Sequence, residues 1–483
     1  MTFHGPLRRN PINPRYFTDE RGQAIYLTGS HTWAVMQEMW PENEPRHDMD
    51  YDGFLQMMAD CDHNFLRFWQ YALYTKNCPW NNIPTIFDPM PFERTGPGLA
   101  RDGLPKFDLT RLSQPYFDRL RARVEKAASH GIYVSIMLFE AWGLKWATPD
   151  QQPWEYHIFN AENNIDDISD QPLATEGKYA GNYTGVFSLA CPQILEAQKR
   201  FVRKIVDAVN DLDNVLYEIC NEVPNTPEAL AWQTHICDFL RDYQRSKPKQ
   251  HPIGITAEGG DQINEELMAT PADWISPSNG RGFEYRYNPP VATGEKVIFN
   301  DTDHLWGHGC EVAWIWKSFT RGMNVLFMDP WEPIPGDLDW WQDGDITRNQ
   351  RYYYAWDDMR RNLGYTRRIS LSYDLNQCVP DANFCTSGYC LAQRDRQYVC
   401  YFPAGGFEGI DLTGLTGEFQ VEWINPATGV TAKGAPLQAR SASPHAVHQR
   451  AALRAPFDGP AVLLLYKERV MLPRRHKIFV AGT

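Results

Sequence analysis

Short apolar runs recur along residues 1–368, and a helix-like segment or a long loop follows each of them. Eight runs have the length and the β-branched or aromatic content of buried strands. These predicted strands cover residues 24–28, 64–69, 132–139, 215–219, 253–257, 274–276, 296–300 and 324–328. Such alternation implies parallel strands, and eight repeats predict a (β/α)8 barrel over residues 1–368.

The pattern changes from residue 369 onward. Runs at 389–392, 398–402, 418–423 and 461–466 alternate apolar with polar positions, and turn-forming residues separate them. This spacing is typical of short antiparallel strands. We therefore predict a second unit, a small antiparallel β-sandwich over residues 369–483.

Polar and aromatic side chains gather directly after the predicted barrel strands. Active sites of this fold lie at the carboxyl ends of the strands, so these residues are the first candidates for function. They are His31, Trp33, Arg67, Trp69, Glu140, Trp142, Asn221, Glu222, Glu258, Asn279, Asp301, Asp303, His304, Asp329 and Trp331.

The predicted strand at 215–219 delivers Asn221 and Glu222 at its end, and Pro224 stops it. A buried strand fixes the backbone and so places the carboxyl group, as a general acid requires. Apolar surroundings are expected to raise the pKa of Glu222 and keep it protonated near neutral pH. Asn221 is suited to bind a substrate hydroxyl beside the reacting carbon.

A second carboxylate across the cleft would complete the machinery that cleaves a glycosidic bond. Asp301 is the first candidate because it ends the strand on the far side of the barrel, and Asp303 lies two residues on. His304 or Arg67 would hold that partner ionised. The alternative for both aspartates is helix capping or turn bonding after the strand.

The other rim residues are assigned to substrate binding. Glu140 and Glu258 are expected to bind hydroxyls or support the rim rather than react, and His31 belongs to the same set. The remaining candidates are indoles that either stack on sugar rings or pack the barrel. They are Trp33, Trp69, Trp142, Trp306 and Trp331.

Charge and composition exclude several other functions. The formal net charge is -13, which argues against nucleic acid or an anionic membrane as a partner. No apolar run approaches the ~20 residues of a membrane span. The N-terminal sequence has no apolar signal segment and the cysteines form no CxxC pair, so we expect a cytoplasmic protein, with secretion open if a longer chain carries a leader. The proposed chemistry needs no metal or cofactor. The sequence does not decide whether the protein is a monomer or a homo-oligomer.

Several motifs resemble a known group of enzymes. Asn64-Phe-Leu-Arg67, Asn221-Glu222 and the strand before Asp301 resemble the retaining (β/α)8 glycoside hydrolases of clan A. Residues 16–17, 27–33 and 300–304 look like the apiosidase-like, cellulase-like catalytic domains within it. Residues 401–405 and 423–429 resemble a small C-terminal module described as collagen-binding. The resemblance implies a glycosidase acting on an oligosaccharide, polysaccharide or glycoside, with Glu222 as acid/base and Asp301 as nucleophile.

One residue departs from the clan pattern, which usually has Glu after strand seven. Asp301 is shorter by one methylene, roughly 1.5 Å of reach. Carboxyl groups ~5 Å apart favour retention and ~6.5–9.5 Å favour inversion, so the stereochemistry stays open. Two other functions also stay open. One is a non-catalytic carbohydrate-binding protein, and the other is a metal-dependent barrel hydrolase using His31, Asp301, Asp303 and His304.

Overall fold

The computed structural model describes residues 2–77, 84–145, 153–168, 185–256, 264–279, 284–306, 310–331, 356–440 and 449–468. One candidate from the sequence, Glu258, lies outside the described residues.

Eight strands of the described chain form one parallel sheet that closes into a barrel, as predicted. They are β1 (Thr28–His31), β2 (Phe65–Phe68), β3 (Tyr133–Glu140), β4 (Val215–Asn221), β5 (Ile253–Thr256), β6 (Trp274–Ser276), β7 (Val297–Asp301) and β8 (Asn324–Met328). Neighbours in the sheet follow chain order from β2 to β8, and β8 then pairs with β1. This order brings the carboxyl ends of all eight strands to one rim.

The seam between β1 and β2 is held by an asparagine rather than by a regular ladder. Asn64 accepts a hydrogen bond from the Thr28 backbone N–H through its side chain and donates one from its own backbone N–H to the Thr28 carbonyl. The strands approach closely here, because a Cβ on Gly29 would lie 2.1 Å from the Phe65 carbonyl oxygen. Only glycine fits at that position.

The predicted position of the first strand was wrong. Ala24–Ile25 pairs antiparallel with Phe17–Thr18 in a small three-stranded sheet with Arg8–Arg9, and the barrel strand begins at Thr28. The four residues of β1 are buried although none is strongly apolar. A prediction based on apolar runs therefore stopped where the barrel strand starts.

Helices cover the outside of the barrel in the described ranges. They span Tyr51–Asp60, Gln114–Ser129, Pro192–Val209, Pro227–Arg245, Asn264–Ala269, Val312–Thr320 and Asp357–Ser372, with a short helix at Trp142–Lys145. Local chemistry sets their ends, since Asp50 accepts a hydrogen bond from Gly53 N–H, and Thr226 accepts one from Ala229 N–H. None of these described helices has the length and apolar content needed to cross a bilayer.

Antiparallel strands in the segments that follow β1 and β2 were not predicted. Glu38–Pro41 and Lys76–Asn77 both pair with Thr85–Asp88, and Phe92–Leu99 pairs with Pro105–Leu112. These antiparallel strands lie at the rim side of the barrel, because they follow the carboxyl ends of β1 and β2.

The C-terminal region consists of antiparallel sheets, as predicted. The larger sheet contains Val379–Pro380, Cys390–Gln393, Gln397–Phe402, Gly417–Ile424, Thr431–Lys433, Leu437–Ala439 and Ala461–Tyr466, and Phe407–Asp411 pairs with Arg450–Arg454 in the smaller one. An apolar cluster joins this unit to the barrel. In it, Trp316 and Phe319 of an outer helix pack with Tyr401, Val462 and Leu464. The C-terminal sheets are therefore attached to the outer helix Val312–Thr320.

Candidate active site

Arg67, at the third position of β2, connects the polar side chains at the rim through hydrogen bonds. Its Nε and Nη2 donate to the two carboxylate oxygens of Glu218 at 2.7 and 2.6 Å. Nη2 also donates to Asn221 Oδ1 at 2.6 Å, and Nη1 donates to Asp303 Oδ2 at 2.5 Å. One guanidinium thus joins the ends of β4 and β7, which carry the predicted catalytic carboxylates.

Glu218 is a member of this buried network that the sequence reasoning missed. It lies inside β4, is fully buried, and forms a two-pronged ion pair with Arg67. Such a fork fixes the plane of a guanidinium as well as its position. The available signal was an acidic residue within an otherwise apolar strand, since a buried charge needs a partner of opposite sign.

Asp301 ends β7 and is held from two sides. Its Oδ1 accepts from His31 Nε2 at 2.9 Å and from the backbone N–H of Asp303 at 3.0 Å. Trp69 Nε1 donates to His31 Nδ1 at 2.9 Å, and an indole N–H can only donate. The proton on the His31 Nε2 side therefore faces Asp301, so Trp69 and His31 orient this carboxylate.

Asp303 is held by a separate set of groups. Its Oδ2 lies 3.4 Å from His304 Nε2, in addition to the contact with Arg67. Ser276 Oγ lies 2.8 Å from His304 Nδ1, and His304 Nε2 lies 3.4 Å from Asn221 Oδ1. The ends of β4, β6 and β7 thus share one hydrogen-bond network.

The pKa values of the two aspartates are shifted in opposite directions. Burial raises the pKa of Asp301, but the electrostatic interaction and hydrogen bond with His31, followed by the positive charge of Arg67, outweigh it, so the pKa lies well below its usual range. Burial and the negative charge of Asp301 raise the pKa of Asp303, although Arg67 opposes this. Environments that separate the pKa values of a carboxyl pair are typical of catalytic sites.

Glu222 follows β4 with a strained backbone. Its φ is +44°, in the left-handed region, and its exposed fraction is 7%. The other described non-glycine residues with positive φ are Asp62, Asp167 and Asp395, and aspartate tolerates this conformation better than glutamate does. Strain of this kind costs of order 1–3 kcal/mol and clusters at functional sites.

Glu140 ends β3 and lies beside Asn221 across the β3–β4 ladder. Both carboxylate oxygens accept from the backbone N–H of Gly143, at 3.2 and 3.3 Å. Burial nevertheless raises the pKa of Glu140 to about 7. The rim therefore holds an additional carboxyl group that changes charge near neutral pH.

Replacing Glu140 by Gln should change how stability depends on pH. Between pH 4.5 and about 7 the folded protein keeps a proton that the unfolded chain has lost, so the free energy of unfolding of the wild type falls across this window. Glu140→Gln removes that loss. The free energy of unfolding of the variant minus that of the wild type, measured in urea, should therefore increase by roughly 2–3 kcal/mol between pH 5 and pH 8.

The control for this experiment is Glu265→Gln, because Glu265 is exposed on the helix Asn264–Ala269. A free-energy difference between Glu140→Gln and the wild type that stays constant from pH 5 to pH 8 would contradict the burial argument.

Some predicted rim residues have other contacts. Asp329 binds Arg360 Nε at 2.8 Å and Nη2 at 2.5 Å, so it fastens the helix Asp357–Ser372 to the end of β8. Asn279 Oδ1 accepts from the backbone N–H of Tyr285 at 2.7 Å. Among the described residues, no group of three or more His, Cys, Asp or Glu side chains is arranged to hold a metal ion.

The five candidate indoles divide into two groups. Trp33 and Trp69 are each only 3% exposed, and Trp69 also lies against the Arg67 guanidinium, 5.0 Å from its ring centroid. Trp142, Trp306 and Trp331 are partly exposed. The first two indoles therefore belong to the support of the site, and the other three have the exposure that a sugar platform needs.

Comparisons with known proteins match this architecture. A family model described as a domain of unknown function (DUF6298) matches residues 81–272. A search of curated proteins found no match. A glycoside hydrolase family 5 protein from Bacteroides vulgatus ATCC 8482 is 12% identical, with a TM-score of 0.61 over 96% of this chain and 93% of that one. Another structure, titled "Glycoside hydrolase", is 12% identical with a TM-score of 0.56 over 96% of this chain and 97% of that one. At these identities the likeness establishes the fold.

Proposed function

We propose that the protein is a glycoside hydrolase in which Glu222 is the acid/base and Asp301 the nucleophile. The observation that carries the proposal is the Arg67 guanidinium, which binds Asn221 beside Glu222 on one side and Asp303 beside Asp301 on the other. A sugar bound over this guanidinium would lie between the two carboxyl groups, as glycoside cleavage requires. The structural neighbours described as glycoside hydrolases support the same chemistry.

Each side chain then has a chemical task. Glu222 protonates the leaving oxygen, and the depressed pKa of Asp301 keeps it ionised for attack on the anomeric carbon. The side-chain N–H2 of Asn221 lies beside Glu140, and it is suited to donate to a sugar hydroxyl next to that carbon. Glu140 would bind a second hydroxyl. The substrate class is an oligosaccharide, a polysaccharide or a simpler glycoside.

Asp303 is the other candidate for the nucleophile. Its side chain is 5% exposed, against 1% for Asp301, but its raised pKa makes it the member of the pair that takes up a proton first. Charge therefore favours Asp301 for attack, with Asp303 as its hydrogen-bonded neighbour. The sequence motifs that resemble apiosidase-like, cellulase-like domains fit this assignment.

A panel of aryl glycosides, both pyranosides and furanosides, tests the proposal with the wild-type protein. We expect turnover of at least one member, with net retention at the anomeric carbon of the first product. A 2-fluoro analogue of that substrate should then trap a glycosyl ester, and mass spectrometry of the peptides should locate it on Asp301. A label on Asp303 would transfer the nucleophilic role to that residue. Inversion would replace nucleophilic attack by water activation, and no turnover across a broad panel would favour a carbohydrate-binding protein.

A further inference from the structure

A cavity of about 490 Å³ lies at the opposite end of the barrel from the rim. Tyr133, which begins β3, lines it, whereas Glu140, which ends the same strand, lies at the rim. The strand is eight residues long, so the two places are ~23 Å apart. The last turns of the helix Asp357–Ser372 form the other wall through Arg367 and Ser370.

Arg367 is a buried cation without a carboxylate partner among the described residues. It is 5% exposed, and its one side-chain hydrogen bond runs from Nη1 to Ser370 Oγ at 3.3 Å. Within the described chain, Nε and Nη2 have no acceptor. Burial lowers the pKa of Arg367 to about 10, so the guanidinium still carries its charge at neutral pH. An unpaired buried charge is costly, and an anion in the cavity would relieve that cost.

Tyr133 adds a donor to the same cavity. It is 2% exposed, and its ring packs edge-on against Phe3 with centroids 4.7 Å apart. Its hydroxyl has no hydrogen-bond partner in the part of the chain that the structure describes. Burial raises the pKa of Tyr133 above its usual range, so the hydroxyl stays a donor.

Other charged groups line the cavity as well. Arg21 forms an ion pair with Asp19, which brings a second guanidinium to the wall. Asp374 is the carboxylate that opposes an anion, and its Oδ1 already accepts from the backbone N–H of Asn376 at 3.2 Å. The Arg21 charge is already offset by Asp19, so Arg367 is the guanidinium of the lining without a paired carboxylate among the described residues.

We propose that this cavity binds a small oxyanion, the carboxylate or phosphate group of a small molecule. The Nε–Nη2 edge of Arg367 presents two parallel N–H groups, the geometry that carboxylate and phosphate accept. The Tyr133 hydroxyl supplies a third donor. A volume of about 490 Å³ admits a molecule larger than the anionic group itself.

Calorimetric titration of the full chain at fixed ionic strength tests the site, with inorganic phosphate and acetate as probes and chloride as the reference ion. We expect saturable binding of at least one oxyanion. Arg367→Gln should weaken it by about 10- to 100-fold, because a charge-assisted hydrogen-bond pair is lost. Tyr133→Phe should weaken it by about 2- to 10-fold. Arg368→Gln is the matched control, since Arg368 is 48% exposed and pairs with Asp62.

The results with the two probes distinguish the ligand classes. Binding of phosphate alone points to a phosphorylated ligand, and binding of acetate alone points to a carboxylate. Binding no tighter than that of chloride overturns the proposal, and so does unchanged affinity in Arg367→Gln. Where Arg367→Gln does not fold, Tyr133→Phe decides, and unchanged affinity in that variant rejects the site.

Discussion

Glu222→Gln should lower the turnover of glycosides with poor leaving groups by ~10²–10⁴-fold, the usual contribution of a positioned general acid. Gln keeps the size of Glu222 and can occupy the same strained position after β4, but it cannot give a proton to the leaving oxygen. The loss should therefore appear in the chemical step rather than in substrate binding. Steady-state kinetics on the substrate found in the panel measures it.

The leaving group makes this prediction specific to acid catalysis. A dinitrophenolate departs without a proton, so the first step on such a glycoside should survive in Glu222→Gln much better than on an alkyl glycoside. The control is Glu228→Gln, because Glu228 is an exposed glutamate six positions further on, in the first turn of the helix Pro227–Arg245. Equal losses for good and poor leaving groups would assign the acid role to another carboxyl group, with Glu140 next because its pKa is about 7.

The barrel could be predicted from the sequence because most of its strands are buried apolar runs. Trp274–Ser276 and Asn324–Met328 have the bounds that the pattern indicates. Thr28–His31 could not be found in this way, since it is buried by its position at the closing seam and not by apolar side chains. The antiparallel insertion starting at Glu38 likewise depends on contacts between segments that are distant in sequence.

The sequence indicated candidate residues at the strand ends, but it did not indicate the contacts among them or the buried Glu218. The sequence places His31, Arg67, Asn221 and Asp301 at strand ends, and the barrel brings those ends to one rim. It does not reveal that His31 binds Asp301 whereas Arg67 donates to Asp303 and lies 3.6 Å from Asp301, because two residues of spacing after a strand leave the turn undetermined. The separation of the two pKa values follows from those partners, so it required the structure.

Arg67→Met should lower the free energy of unfolding by about 3–5 kcal/mol, the cost of leaving a buried charge without its partner. Arg67 is 1% exposed, and its removal strands Glu218, which is fully buried, together with Asp303. Urea-induced unfolding followed by tryptophan fluorescence measures the change. Stranded carboxylates escape part of the cost by taking up protons, so the loss should be smaller at pH 5 than at pH 8.

The matched control is Arg121→Met, which breaks an equally forked pair on the surface. Arg121 binds both oxygens of Asp211 at 2.7 and 2.8 Å, but these side chains are 36% and 60% exposed, so the loss should stay within about 1 kcal/mol. Glu218→Gln in the Arg67→Met background should recover part of the stability, because it removes the stranded charge. Similar losses for Arg67→Met and Arg121→Met would show that the Arg67 network is solvated. The oriented carboxylates on which the proposed chemistry rests would then lack their fixed support.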